Sequence, residues 1–130
     1  MKNLSKSEEQ LMSYLWISKN LFLKDLISLY PDPKPAKTTI ATLLKRLQVK
    51  GFVKYTVFGN SRQYTAVIEK EEYLSLRFKE IITLHFKDSI ADFTAFITHT
   101  LKLDRTELSA LKKTIDQEVI THRNKDAVFY

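Results

Sequence analysis

Residues 35–64 narrow the choice of fold more than any other stretch of the chain. Ile40, Leu43, Leu44 and Leu47 recur at i, i+3, i+4 and i+7, the spacing that aligns one buried stripe on an α-helix. A helix starting near Lys37 follows. At about 100° per residue its opposite side collects Thr38, Ala41, Thr42, Lys45, Arg46 and Val49, a small, hydroxylic and basic face without a single acid. Gly51 stops the helix. Two runs rich in β-branched and aromatic residues, 52–58 and 62–68, then flank Gly59-Asn60, as the arms of a β-hairpin flank its turn.

The segments on either side complete a recognisable order. Ser5 followed by Glu8 is a capping box, and Leu11, Met12, Leu15 and Trp16 behind it form the inward stripe of a first helix. Asn20 breaks that helix. Leu21-Phe22-Leu23 reads as a short edge strand, and residues 24–30 as a second helix packed through Leu26, Ile27, Leu29 and Tyr30. Pro31, Pro33 and Pro35 forbid its continuation and set a stiff turn. Helix, short strand, helix, turn, helix, hairpin is the order of a winged helix-turn-helix, in which the third helix enters the major groove of DNA.

Charge distribution agrees with that placement. Residues 1–68 hold 11 Lys+Arg against 4 Asp+Glu, a net of +7, whereas residues 69–130 hold 10 against 11, a net of −1. The basic excess lies wholly in the half that carries the candidate helix and hairpin, as a polyanion-binding half requires. Candidate DNA contacts are Lys37, Thr38, Thr39, Ala41, Thr42, Lys45, Arg46 and Lys50 on or beside the helix, with Lys54 and Arg62 on the wing. Arg46 is suited to paired hydrogen bonds with guanine O6 and N7, threonine to a phosphate oxygen or a thymine methyl, and Lys45 to phosphate. Lys54 and Arg62 lie toward opposite ends of the ribbon, each placed to reach a phosphate.

From Glu69 onward the chain contains no glycine or proline and reads as long helices. Tyr73, Leu74, Phe78, Ile81, Ile82 and Phe86 form one apolar stripe; Ile90, Phe93, Phe96, Ile97 and Leu101 form a second. Lys87-Asp88-Ser89 separates them, and Asp104 with Glu107 caps a last helix through Leu108, Leu111, Ile115 and Val119. So much apolar surface exceeds what a small winged domain covers, so a homodimer is expected, with Phe78, Ile82, Phe86, Ile90, Phe93, Phe96, Ile97, Leu101, Leu108 and Leu111 in its interface. A two-fold pair of helix-turn-helix units also suits half-sites one or two turns of DNA apart. The expected division is therefore 1–68, a winged-helix DNA-binding domain, and 69–130, a helical dimerisation domain.

Other chemistries find little support. With no cysteine there is no disulfide, thiolate nucleophile or cysteine-based metal site. His85, His99 and His122 lack metal-ligand spacing; Asp88 and Asp92, one turn apart, have no accompanying nucleophile; two glycines make no phosphate loop. No enzyme, cofactor, metal or small-molecule substrate is expected. The apolar runs are short and the amino-terminal segment lacks the apolar core of a signal peptide. A cytoplasmic protein is expected. A winged-helix module whose third helix docks a protein instead of DNA is the alternative, against which the acid-free face and the basic wing count.

Leu4-Ser5-Lys6-Ser7-Glu8 and Trp16, the run from Thr38-Thr39-Ile40-Ala41-Thr42 through Leu43-Leu44-Lys45-Arg46-Leu47 with Lys50-Gly51, and Tyr64 and Lys70-Glu71-Glu72-Tyr73 together form a pattern that spans nearly the whole chain. In these residues the chain resembles the penicillinase-repressor family of bacterial transcription regulators, to which methicillin-resistance and copper-responsive repressors belong. The resemblance implies a dimer bound to a palindromic operator through the winged domain and held together by its C-terminal helices. It also implies relief of repression by a signal acting on those helices, which in the β-lactam-responsive branch is cleavage of an Asn-Phe bond set off by a membrane-bound sensor metalloprotease. Here the comparable place reads Asp92-Phe93-Thr94-Ala95-Phe96 and no Asn-Phe occurs, leaving Ala95-Phe96 as the candidate bond. The cysteine pairs of the copper-responsive branch are missing, which rules out copper sensing by that route.

Overall fold

The structure is a computed structural model and describes residues 3–128. Helix α1 spans Lys6–Ser18, strand β1 Asn20–Phe22, α2 Leu23–Leu29, α3 Lys37–Val49, β2 Val53–Phe58, β3 Ser61–Ala66, α4 Lys70–Phe86, α5 Ile90–Thr100 and α6 Arg105–Val128. The fold is mainly helical with one small antiparallel sheet, ordered β1-β3-β2. That is a winged helix-turn-helix followed by three helices. Among the described residues no helix is long and apolar enough to cross a membrane.

Local chemistry sets the boundaries. The Ser5 hydroxyl accepts from Glu8 N–H at 3.2 Å while the Glu8 carboxylate accepts from Ser5 N–H at 2.8 Å, so two orphan donors at the start of α1 are satisfied reciprocally. The edge strand starts at Asn20, one residue earlier than the sequence implies, and Leu23 already belongs to α2. The cause is Asp25, whose carboxylate accepts from Phe22 N–H at 3.1 Å and draws the next residue into the helix. Leu29, expected to pack, is exposed at the end of α2. Gly51 at φ +84 ends α3: Phe52 N–H donates to Leu47 O at 2.9 Å and Gly51 N–H to Gln48 O at 3.0 Å. This is a Schellman motif, with Phe52 buried behind it.

The core joins Leu11, Met12 and Leu15 of α1, Leu26 of α2, the Ile40, Leu43, Leu44 and Leu47 stripe of α3, and Phe52, Val53 and Tyr64 of the hairpin. Tyr73, at the end of the first turn of α4, completes it. Its ring packs against Trp16 and Phe52 at 5.7 Å each, and its hydroxyl donates to the Glu9 carboxylate at 2.9 Å. Burial, then the bond to Glu9, raises its pKa to about 12. Trp16 Nε1–H in turn donates to Ile68 O at 2.9 Å.

These anchors carry the front unit to Glu80: the chain divides into compact units Met1–Glu80 and Ile81–Tyr130. The break lies twelve residues beyond the 68/69 boundary read from composition, because composition changes where α4 begins whereas packing changes only after Tyr73 and Arg77 have docked. Arg77 donates to the Asn3 side chain at 3.0 Å. In the second unit Phe86 packs edge-on against Phe93 at 5.5 Å and against Phe96 at 5.3 Å. Ser89 caps α5, and Asp104 with Glu107 forms a reciprocal box that opens α6.

Candidate nucleic-acid interface

The buried stripe of α3 fixes which side chains point outward. With Ile40, Leu43, Leu44 and Leu47 in the core, Lys37, Thr38, Thr39, Ala41, Thr42, Lys45 and Arg46 are all exposed. None of the three cations forms an ion pair among the described residues. The Thr42 hydroxyl donates to Thr38 O at 2.9 Å. A phosphate oxygen only accepts, so Thr42 in this rotamer offers its methyl group and an acceptor lone pair, a better match to a base edge than to the backbone. Val49, 74% exposed at the end of the same face, adds branched methyls of the kind that meet thymine.

Lys50 differs from its neighbours. Its ammonium lies 2.7 Å from Glu8 Oε1 and donates to Asn3 O at 3.0 Å. The structure thus directs this expected DNA contact into the protein, where it neutralises a carboxylate that is almost fully buried. Burial pushes the Glu8 carboxyl pKa up, but the hydrogen bond from Lys50, those from Ser5 and the Lys50 charge outweigh it and leave it below the ordinary value. The signal available in the sequence was the unpaired Glu8, an acid inside an apolar stripe that needs a cation from elsewhere.

On the wing, Gly59 takes φ +60 at the first of two loop positions, where a type II′ turn requires it. The register pairs Val53 with Ala66, Tyr55 with Tyr64 and Val57 with Arg62 on one face of the ribbon, and Lys54 with Thr65 and Thr56 with Gln63 on the other. Lys54 and Arg62 therefore lie at opposite ends and also on opposite faces. Both are exposed. The Arg62 guanidinium sits 4.3 Å over the Tyr55 ring, which holds it by a cation–π contact. Arg62 and Lys37 line one groove of about 530 Å³ between the wing tip and the start of α3. Lys24 of α2 lines it as well. It carries no periodic signal; only the pairing of β1 with β3 brings α2 beside the wing.

The expected interface residues of the tail divide in two. Ile82, Phe86, Phe93, Ile97 and Leu111 are half-buried, whereas Ile90, Phe96, Leu101 and Leu108 are exposed. Phe78 is also exposed but belongs to the front unit. No residue of α5 is buried, and Leu84, Ile115, Val119 and Ile120 extend the uncovered apolar surface. The Ala95–Phe96 bond lies in the middle of α5, with Ala95 O accepting from the Thr98 hydroxyl at 3.0 Å.

The family model described as penicillinase repressor matches residues 4–117. The solution structure of the DNA binding domain of the repressor BlaI is 27% identical, covering 56% of this chain and 94% of that one, at a TM-score of 0.49. A crystal structure of a mutant MarR from E. coli is 11% identical, covering 90% of this chain and 79% of that one, at a TM-score of 0.50, a likeness of fold. No curated protein matches.

Proposed function

The chain belongs to the penicillinase repressor family and is a DNA-binding transcriptional regulator; on that premise we propose that it represses transcription as a homodimer on a palindromic operator. The observation that carries the reading is the outward face of α3, where Thr38, Thr42, Lys45 and Arg46 are exposed together, without an acid, beside a basic wing. In this reading α3 lies in the major groove, Arg46 reads a guanine, Thr42 and Val49 meet thymine methyls, and Lys45 contacts phosphate.

Two copies are joined through the second unit. The uncovered apolar surface of α5 and α6 supports this, because monomeric proteins seldom leave so many large apolar side chains in water. Repression is lifted by a signal that acts on these helices and separates the dimer. Proteolysis by a membrane-bound sensor metalloprotease is one such signal. Cleavage between Ala95 and Phe96 then requires α5 to open first, since the bond is helical and a protease binds extended chain.

Mobility-shift titration of the full-length chain against genomic fragments tests the reading. A small set of fragments is expected to shift well before the bulk, and retardation of none at low salt rejects it.

A further inference from the structure

We propose that the groove between the wing tip and the start of α3 is a phosphate channel that carries the sugar-phosphate backbone of one DNA strand, with Lys24 as a contact supplied by α2. This rests on the DNA-binding reading above and adds to it a contact, Lys24, from outside both the third helix and the wing.

Lys24, Lys37 and Arg62 reach the groove from three separate elements, and no carboxylate lines it. Neither lysine has an ion-pair or hydrogen-bond partner among the described residues, and both are exposed. Three uncompensated cations around one concavity repel one another and concentrate a positive potential there, which an anion relieves. Arg62 is held from one face by the Tyr55 ring at 4.3 Å, so its in-plane N–H donors stay free for an oxygen pair. Ser61 and Asn60 add neutral donors at the rim. The first turn of α3 contains no acid, and Ala36 provides no side-chain cap, so the positive end of the helix dipole is also left uncompensated here.

What favours a polymer over a small free anion is continuity. Lys37 lines the groove and is the first residue of α3, next to Thr38 of the outward face, so a strand leaving the groove would pass onto Thr38 and the base-reading side chains. A phosphodiester chain needs a charge at each step along a path, and Lys24, Arg62 and Lys37 supply one.

The test uses the full-length chain, a shifted genomic fragment and a random duplex. Lys24→Ala is expected to weaken both duplexes alike, roughly three- to tenfold in 0.1 M salt, and to lower the slope of log affinity against log salt by about one. Lys24→Arg restores both, and the thermal midpoint stays at the wild-type value. Unchanged affinity and slope in Lys24→Ala overturn the channel while leaving the DNA-binding reading intact; failure of the wild-type chain to bind any duplex overturns both. In a second arm, inorganic phosphate is titrated into the DNA-free protein. Saturable binding that Lys24→Ala abolishes, with an unchanged salt slope on DNA, makes the groove a free-anion site and also overturns the proposal.

Discussion

Glu8 and Lys50 meet at 2.7 Å, one inside the capping box of α1 and the other at the C-cap of α3. The pair ties the end of α3 to the first turn of α1. Because Glu8 is 2% exposed, its charge depends on Lys50. The position of the α3 C-terminus against α1 is thereby fixed by a long-range ion pair.

Lys50→Met strands that carboxylate. The expected loss is about 3 kcal/mol of unfolding free energy, at the lower end for a broken buried pair because Lys50 is partly open to solvent. Urea unfolding measures it. The salt slope of DNA binding should stay unchanged, since the Lys50 ammonium is bonded to Glu8 and to Asn3 O; a fall of about one would return it to the interface.

Acid should act through the same pair. The folded Glu8 pKa lies below its ordinary 4.5, so the pair contributes its full stability above about pH 4.5 and loses it as the pH falls through the folded value. In Glu8→Gln this part of the acid dependence should vanish. Urea midpoints of the two proteins between pH 6 and pH 3 are expected to converge on acidification, and parallel curves would contradict the sign.

Much of this was open to sequence reading, for a physical reason. Periodicity and caps are local, so the Ile40, Leu43, Leu44 and Leu47 stripe, the Ser5–Glu8 box, the Gly51 stop and the Gly59-Asn60 turn are all written within a few residues. Long-range pairings are not. The inward turn of Lys50 depends on a residue 42 positions away, the arrival of Lys24 at the groove depends on β1 joining β3, and the burial of Tyr73 moves the unit boundary past the change in composition. The opposed faces of Lys54 and Arg62 follow from the register, which the two-residue turn fixes. Counting parity from Gly59-Asn60 yields it, whereas the spacing alone places the two only at opposite ends.

Arg46→Ala should cost about 1–3 kcal/mol on the operator and relax preference at one base position, as the loss of a bidentate guanine contact does. Binding to a randomised operator library checks this. Equal losses on operator and random DNA would make Arg46 a phosphate contact.

Ile115→Glu, on the uncovered face of α6 where Ile115 is 47% exposed, should convert the dimer to monomer without unfolding the front unit. Operator affinity falls with it, because two half-sites no longer bind as one unit. Sedimentation velocity with far-ultraviolet circular dichroism reads both. A retained dimer would place the interface on another face.

The central claim is that α3 lies in the major groove, presented twice by a pair of chains. Dimethyl sulfate footprinting of the bound operator tests it most directly, since the reagent attacks guanine N7 in the major groove and adenine N3 in the minor groove. The expected pattern is guanine N7 protection in two clusters about one or two helical turns apart, weakened at one guanine per cluster in Arg46→Ala. Protection confined to adenine N3, or a single cluster at saturation, would contradict the account.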